Sequence, residues 1–131
     1  MHHRINFASG APWESSIGYS RAVKIGNVIE VSGTVALDEA GNLIGEGDAF
    51  LQTKFIIQKI EAVLLQAGAA LADVVRTRMY VTDIAQSEAV GRAHGEAFGT
   101  IRPCTSMVEV KGLIRPEYLV EVEATAILSP S

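Results

Sequence analysis

Two runs near the end of the chain alternate residue by residue. Thr105-Ser106-Met107-Val108-Glu109-Val110-Lys111 and Leu119-Val120-Glu121-Val122-Glu123-Ala124-Thr125-Ala126-Ile127-Leu128 both read as strands with two unlike faces. In the second, Val120, Val122, Ala124, Ala126 and Leu128 share one face, and Glu121, Glu123 and Thr125 the other. Two carboxylates on one face of an interior-looking strand must be hydrated, paired or used. Upstream, Tyr19 to Ile25 and Val28 to Ser32 flank Gly26-Asn27, the pattern of a hairpin with a tight turn. Arg4 to Phe7 can add an edge strand, the rest of 1–17 is irregular, and 38–47 is loop. Asp48 is placed to cap a helix whose apolar positions are Leu51, Phe55, Ile56, Ile60, Val63, Leu64 and Ala67, ended by Gly68. Asp73 to Thr82 alternates as a strand. Asp83 or Ser87 starts a second helix with Val90, Ala93, Ala97 and Phe98 inward, closed by Gly99. Arg102-Pro103 then turns the chain into the closing strands.

These elements form two β-α-β pieces. They predict an α/β (α+β) fold, a two-layer sandwich with a mixed β-sheet and two helices packed on one face. Length supports a single domain over 1–131, large enough for a real core. The other sheet face collects Glu30, Ser32, Arg76, Arg78, Tyr80, Glu121 and Glu123, with Glu109 and Lys111 assigned to it alongside Met107, opposite Val75, Thr77, Met79 and Val81. Such a face is either solvated and laced with weak cross-strand ion pairs or a surface that meets its own copies.

Charge and cysteine content narrow the chemistry. The formal charge of −4 argues against nucleic acid as an obligate partner. Cys104 is the only cysteine, so there is no intrachain disulfide and no cysteine-rich metal site. His2, His3 and His94 are too scattered to hold a metal, and His94 reads most simply as a surface or packing residue. The N-terminus has no signal-peptide pattern and no apolar run approaches a membrane span, so a soluble cytoplasmic protein without membrane association is expected. Neither a phosphate loop nor a dinucleotide fingerprint is present. Ser32-Gly33 ends a strand, and Gly33 would let a ligand approach the backbone. Arg21 and Arg102 are most simply surface cations, though either could hold a carboxylate by a two-point bond.

Three segments, Ile17-Gly18-Tyr19 with Ile25-Gly26-Asn27-Val28-Ile29-Glu30-Val31-Ser32-Gly33, Val74 to Asp83, and Val108-Glu109-Val110 with Val120 to Ala124, resemble the Rid/YjgF superfamily of reactive-intermediate deaminases over nearly the whole chain. The resemblance implies a chorismate-mutase-like β-α-β-β-α-β fold and a homotrimer with clefts between subunits. It also implies hydrolysis of enamines and imines, such as 2-aminoacrylate, to keto acids and ammonia without metal or organic cofactor. By the same resemblance, Glu121 positions water and Tyr19 closes the cleft as the catalytic pair. Ser32, Gly33, Thr105, Ser106 and Met107 line the substrate, with Arg21 or Arg102 as possible sources of positive charge.

The match is incomplete. The family's signature arginine falls on Thr105, its cysteine on Met107 and its helix asparagine on Gly91. A guanidinium returns about 1.5–3 kcal/mol to a desolvated carboxylate, whereas Thr105 offers one neutral hydroxyl. Small 2-aminoacrylate-type acids are therefore expected to be poor substrates. Three readings follow: an imine or enamine hydrolase with altered substrate, a non-catalytic homotrimer that binds a small carboxylate or apolar metabolite, and a ribonuclease or translation inhibitor that rests on older family labels alone.

Overall fold

The computed structural model describes residues 3–130. Met1 and His2, part of the N-terminal stretch read for targeting and metal binding, lie outside the described residues. Six strands form one sheet: β1 (Arg4–Phe7), β2 (Ala22–Ile25), β3 (Val28–Thr34), β4 (Val74–Val81), β5 (Cys104–Glu109) and β6 (Val120–Ile127). Their order is β1-β2-β3-β6-β4-β5, and only β4 and β5 run parallel. Helices α1 (Ala49–Gln66) and α2 (Ser87–Phe98) cover one face, giving the expected two-layer α+β sandwich.

Local chemistry sets the boundaries. Gly26 takes φ +59° in the β2–β3 turn, and Asp48 caps α1 by accepting from Leu51 N–H at 3.0 Å. Gly68, at φ +85°, ends α1, and Lys24 reaches across to donate to Ala67 O at 2.7 Å, a cation at a helix C-terminus. Five residues, Glu14–Gly18, wind into a short wide helical turn that the irregular reading of the N-terminal segment missed. The buried Glu14 carboxylate accepts from the Ser9 hydroxyl and backbone and ties that turn to the preceding loop.

The core is the seam between the helices and the buried side of the sheet: Ile56, Ile60 and Leu64 of α1 and Val90 of α2 against Ile29, Val81, Val120 and Val122. On α1 the inward stripe differs from the expected one. Leu51 is exposed, and the buried neighbours are Gln52 and Thr53. Gln52 donates to Gly45 O and Glu117 O and accepts from Leu119 N–H, stitching two loops to the helix, while Thr53 donates to Ala49 O. A fully bonded amide is tolerated inside; apolar periodicity does not register it. Gln52→Leu keeps the volume and orphans those three backbone groups. It is expected to cost about 1–3 kcal/mol per group that finds no water, read as a lower denaturation midpoint.

Two bulges break strict alternation. Between Val74 and Arg76 the β4–β6 register shifts, and Val75 emerges exposed rather than sharing a face with Thr77. Between Val31 and Thr34 the β3–β6 register shifts again, and the extra residue falls at Ser32-Gly33.

β5 corrects a further expectation. Its register aligns Thr105 with Thr77 and Met107 with Met79, and Thr77 donates to Thr105 Oγ1 at 2.7 Å. Thr105, Met107 and Glu109 therefore sit on the helix side of the sheet, and Cys104, Ser106 and Val108 on the open side. Glu109, which accepts from Ile84 N–H at 2.9 Å, does not join the polar cluster, and Lys111 lies beyond the strand.

Candidate functional site

The bulge at Ser32-Gly33 builds the first half of the site. Every distortion there is held by a side chain: Ser32 Oγ donates to Ser20 O at 2.6 Å, Thr34 Oγ1 to Ser32 O at 2.7 Å, and Arg21 Nη2 to Gly33 O at 2.6 Å. Ser32 N–H also donates to Arg21 O at 3.0 Å. Arg21 is thus no surface cation. It is largely buried, its Nε has no partner, and burial lowers its pKa against the attraction of Tyr19, Glu14 and Glu121.

Glu121 projects from β6 onto Gly33. A Cβ on Gly33 would come within 2.9 Å of Glu121 Cδ, so the carboxylate occupies the space that a side chain would need. The carboxylate is half-buried, neither sealed in the core nor standing free in water. Burial, then the neighbouring Glu123, pushes its pKa up, and Arg21 pulls the other way. Glu123 itself accepts from Tyr80 OH at 2.8 Å. Glu123→Gln keeps an acceptor for Tyr80 and removes the negative neighbour. It is expected to move the acid limb of any Glu121-dependent rate profile to lower pH, whereas Arg21→Met moves it higher; a pH–rate series checks both signs.

The remaining site residues separate into distinct places. Tyr19, half-buried, follows the Glu14–Gly18 turn and, with Glu14, Ser15 and loop 8–12, lines an open depression of about 410 Å³. A second depression, of about 260 Å³, lies between α1 and α2, and Glu121 lines neither. Ser106 is exposed on the open side and accepts from Arg76 Nη2 at 3.1 Å. Arg102 is exposed at φ +57° in the turn before β5. Thr105 and Met107 stand on β5, separated from β6 by β4 and on the opposite face from Glu121. One protomer therefore does not bring Thr105 to Glu121. His94, read from sequence as bland, is bonded: its Nε2 lies 2.8 Å from Thr77 Oγ1. The one available signal was its place on a helix over a strand threonine. Among the described residues no cluster of His, Cys, Asp or Glu could hold a metal ion, and no helix is long and apolar enough to cross a membrane.

A mixed sheet with both helices on one side, and a carboxylate seated on a strand-end glycine on the other, defines a class of small α+β proteins whose acid group sits on the open sheet face. The family model described as Endoribonuclease L-PSP matches residues 10–128. The chain is 38% identical to a RutC family protein of Pyrococcus abyssi, covering 96% of this chain and 98% of that one. It is 34% identical to the 3-aminoacrylate deaminase RutC of Acinetobacter baylyi, covering 82% and 85%. A Mycobacterium tuberculosis protein described as a member of the YjgF/YER057c/UK114 family superposes with a TM-score of 0.86 at 51% identity, covering 96% of this chain and 100% of that one. The chain belongs to the YjgF/Rid family.

Proposed function

We propose that this protein hydrolyses reactive imines or enamines to a carbonyl compound and ammonia, with a substrate range altered by Thr105 in place of the family arginine. The observation that carries the reading is Glu121 on Gly33: a half-buried carboxylate with a raised pKa, lying over a braced bulge. An ionised carboxylate is acceptor-only and can hold and deprotonate a water. An imine carbon is already electrophilic, so positioning plus one acid–base group is sufficient chemistry, and no metal or organic cofactor is needed. The relative named 3-aminoacrylate deaminase supports the reaction class.

The same reading makes the working form a cytoplasmic homotrimer. Thr105 and Met107 of one protomer face Tyr19, Ser32 and Glu121 of the next, Tyr19 closes the cleft, and Ser106, turned to the open side, stays out of it. The separation of these two groups within one protomer supports this, as do the exposed Ile25, Val28, Val108 and Ile127 on β2, β3, β5 and β6.

The test generates imines from a panel of amino acids with an oxidase and follows ammonia release. Acceleration by the wild type, lost in Glu121→Gln, is the expected result. No acceleration of any imine by a protein whose trimer is confirmed by sedimentation would overturn it. The second reading, a non-catalytic homotrimer that binds a small metabolite, is favoured by the missing cation at Thr105; ligand-dependent thermal shifts without turnover would support it.

A further inference from the structure

At the outer edge of the sheet, on its helix side, three side chains form a hydrogen-bonded chain that ends at solvent. His94 Nε2 lies 2.8 Å from Thr77 Oγ1, and Thr77 Oγ1 donates to Thr105 Oγ1 at 2.7 Å. Thr77 is fully buried, Thr105 is exposed, and the half-buried His94 ring packs 4.7 Å from that of Phe98. A threonine hydroxyl carries one hydrogen. With the His94 hydrogen on Nε2, Thr77 accepts from the imidazole and its one hydrogen goes to Thr105. Thr105 then receives a hydrogen bond from within, and its own hydrogen is left for the outside. Aligned donors of this kind polarise one another and strengthen the terminal one. Burial lowers the His94 pKa, which keeps the chain uncharged at neutral pH.

We propose that His94 holds its hydrogen on Nε2 and that the chain thereby makes Thr105 a directed neutral donor, which recognises a carboxamide or ester carbonyl in preference to a carboxylate. The inference rests on the proposed function only in taking the β5 edge as part of the ligand cleft. A carboxylate loses far more hydration on binding than a neutral carbonyl does, and a single neutral hydrogen bond does not offset that loss. His94 acts through Thr77 and is a positioning residue; Thr105 makes the contact.

The test uses the full chain, ¹⁵N-labelled, titrated with pyruvate and with pyruvamide, its neutral counterpart. Pyruvamide is expected to bind about three- to tenfold tighter, the worth of one neutral hydrogen bond. The His94 ring nitrogens should report the Nε2–H tautomer and move on titration. Thr77→Val should weaken pyruvamide binding and shift those nitrogens, and Thr105→Arg should reverse the preference. Should Thr77→Val fail to fold, Thr105→Val at the exposed end tests the same preference. Equal or tighter binding of pyruvate, an Nδ1–H tautomer, or no response of Thr105 and His94 to either probe would overturn the proposal. Ammonia release from imines by the same preparation separates the two ideas. Hydrolysis without the amide preference removes only this inference, and the preference without hydrolysis removes only the deaminase reading.

Discussion

Glu121→Gln is expected to lower imine hydrolysis by about 10²- to 10⁴-fold, the usual worth of one positioned acid–base group, while raising the melting temperature at pH 7. The two effects share one cause. In the folded protein the Glu121 pKa lies above its ordinary value because burial and Glu123 outweigh the pull of Arg21. A raised carboxylate pKa favours folding when the group is protonated, and that advantage is lost as pH rises through the folded value. At neutral pH the ionised group therefore weakens the fold, and Gln, which mimics the neutral form, relieves this. The stability difference between the two proteins should shrink as pH falls through the Glu121 titration. Thermal melts at several pH values, run beside the ammonia assay, check both signs. Equal activity of the two proteins would remove Glu121 from the chemistry. A lower melting temperature for the variant at pH 7 would mean that Arg21 wins over burial.

The strand that carries Glu121 was the most legible part of the sequence because it lies inside the sheet. β6 pairs on both sides, with β3 and β4, so one face must be apolar, and alternation places Glu121 and Glu123 together on the other. β5 is an edge strand, exposed along most of its length, and no burial requirement fixes its faces. Thr105-Ser106-Met107-Val108-Glu109 alternates weakly enough to be assigned with Glu109 on the open side, whereas its parallel register with β4 turns Thr105, Met107 and Glu109 toward the helices. Arg21 was hidden for a related reason. A cation at the start of a hairpin reads as solvent-exposed, and only the bulge opposite it, invisible as a pattern, offers the Gly33 carbonyl that draws it inward. The hydroxyl chain to His94 needs three elements in contact, β4, α2 and β5, so no local window contains it.

Gly33→Ala is expected to match Glu121→Gln in lost activity and to differ from it in stability. Gly33 has no left-handed backbone requirement, so alanine is conformationally admissible, and lost freedom of the unfolded chain alone would favour it by about 0.4–1 kcal/mol. The obstacle is steric and specific: the new methyl would stand within 2.9 Å of Glu121 Cδ and 3.3 Å of Cγ, with the carboxylate oxygen closer still. Those atoms are the far end of a flexible side chain on a half-buried surface, so Glu121 can rotate away and the backbone, held by Arg21 at Gly33 O, need not move. Folding should survive with a melting temperature near that of the wild type. The reaction should not, because displacing the reacting group by an ångström costs about 10²-fold. Both substitutions act through one carboxylate, so the double variant Gly33→Ala/Glu121→Gln should be no slower than Glu121→Gln alone, a strongly non-additive cycle. Multiplied losses in the double variant would show that Gly33 serves the ligand directly, through backbone approach, and not by seating Glu121.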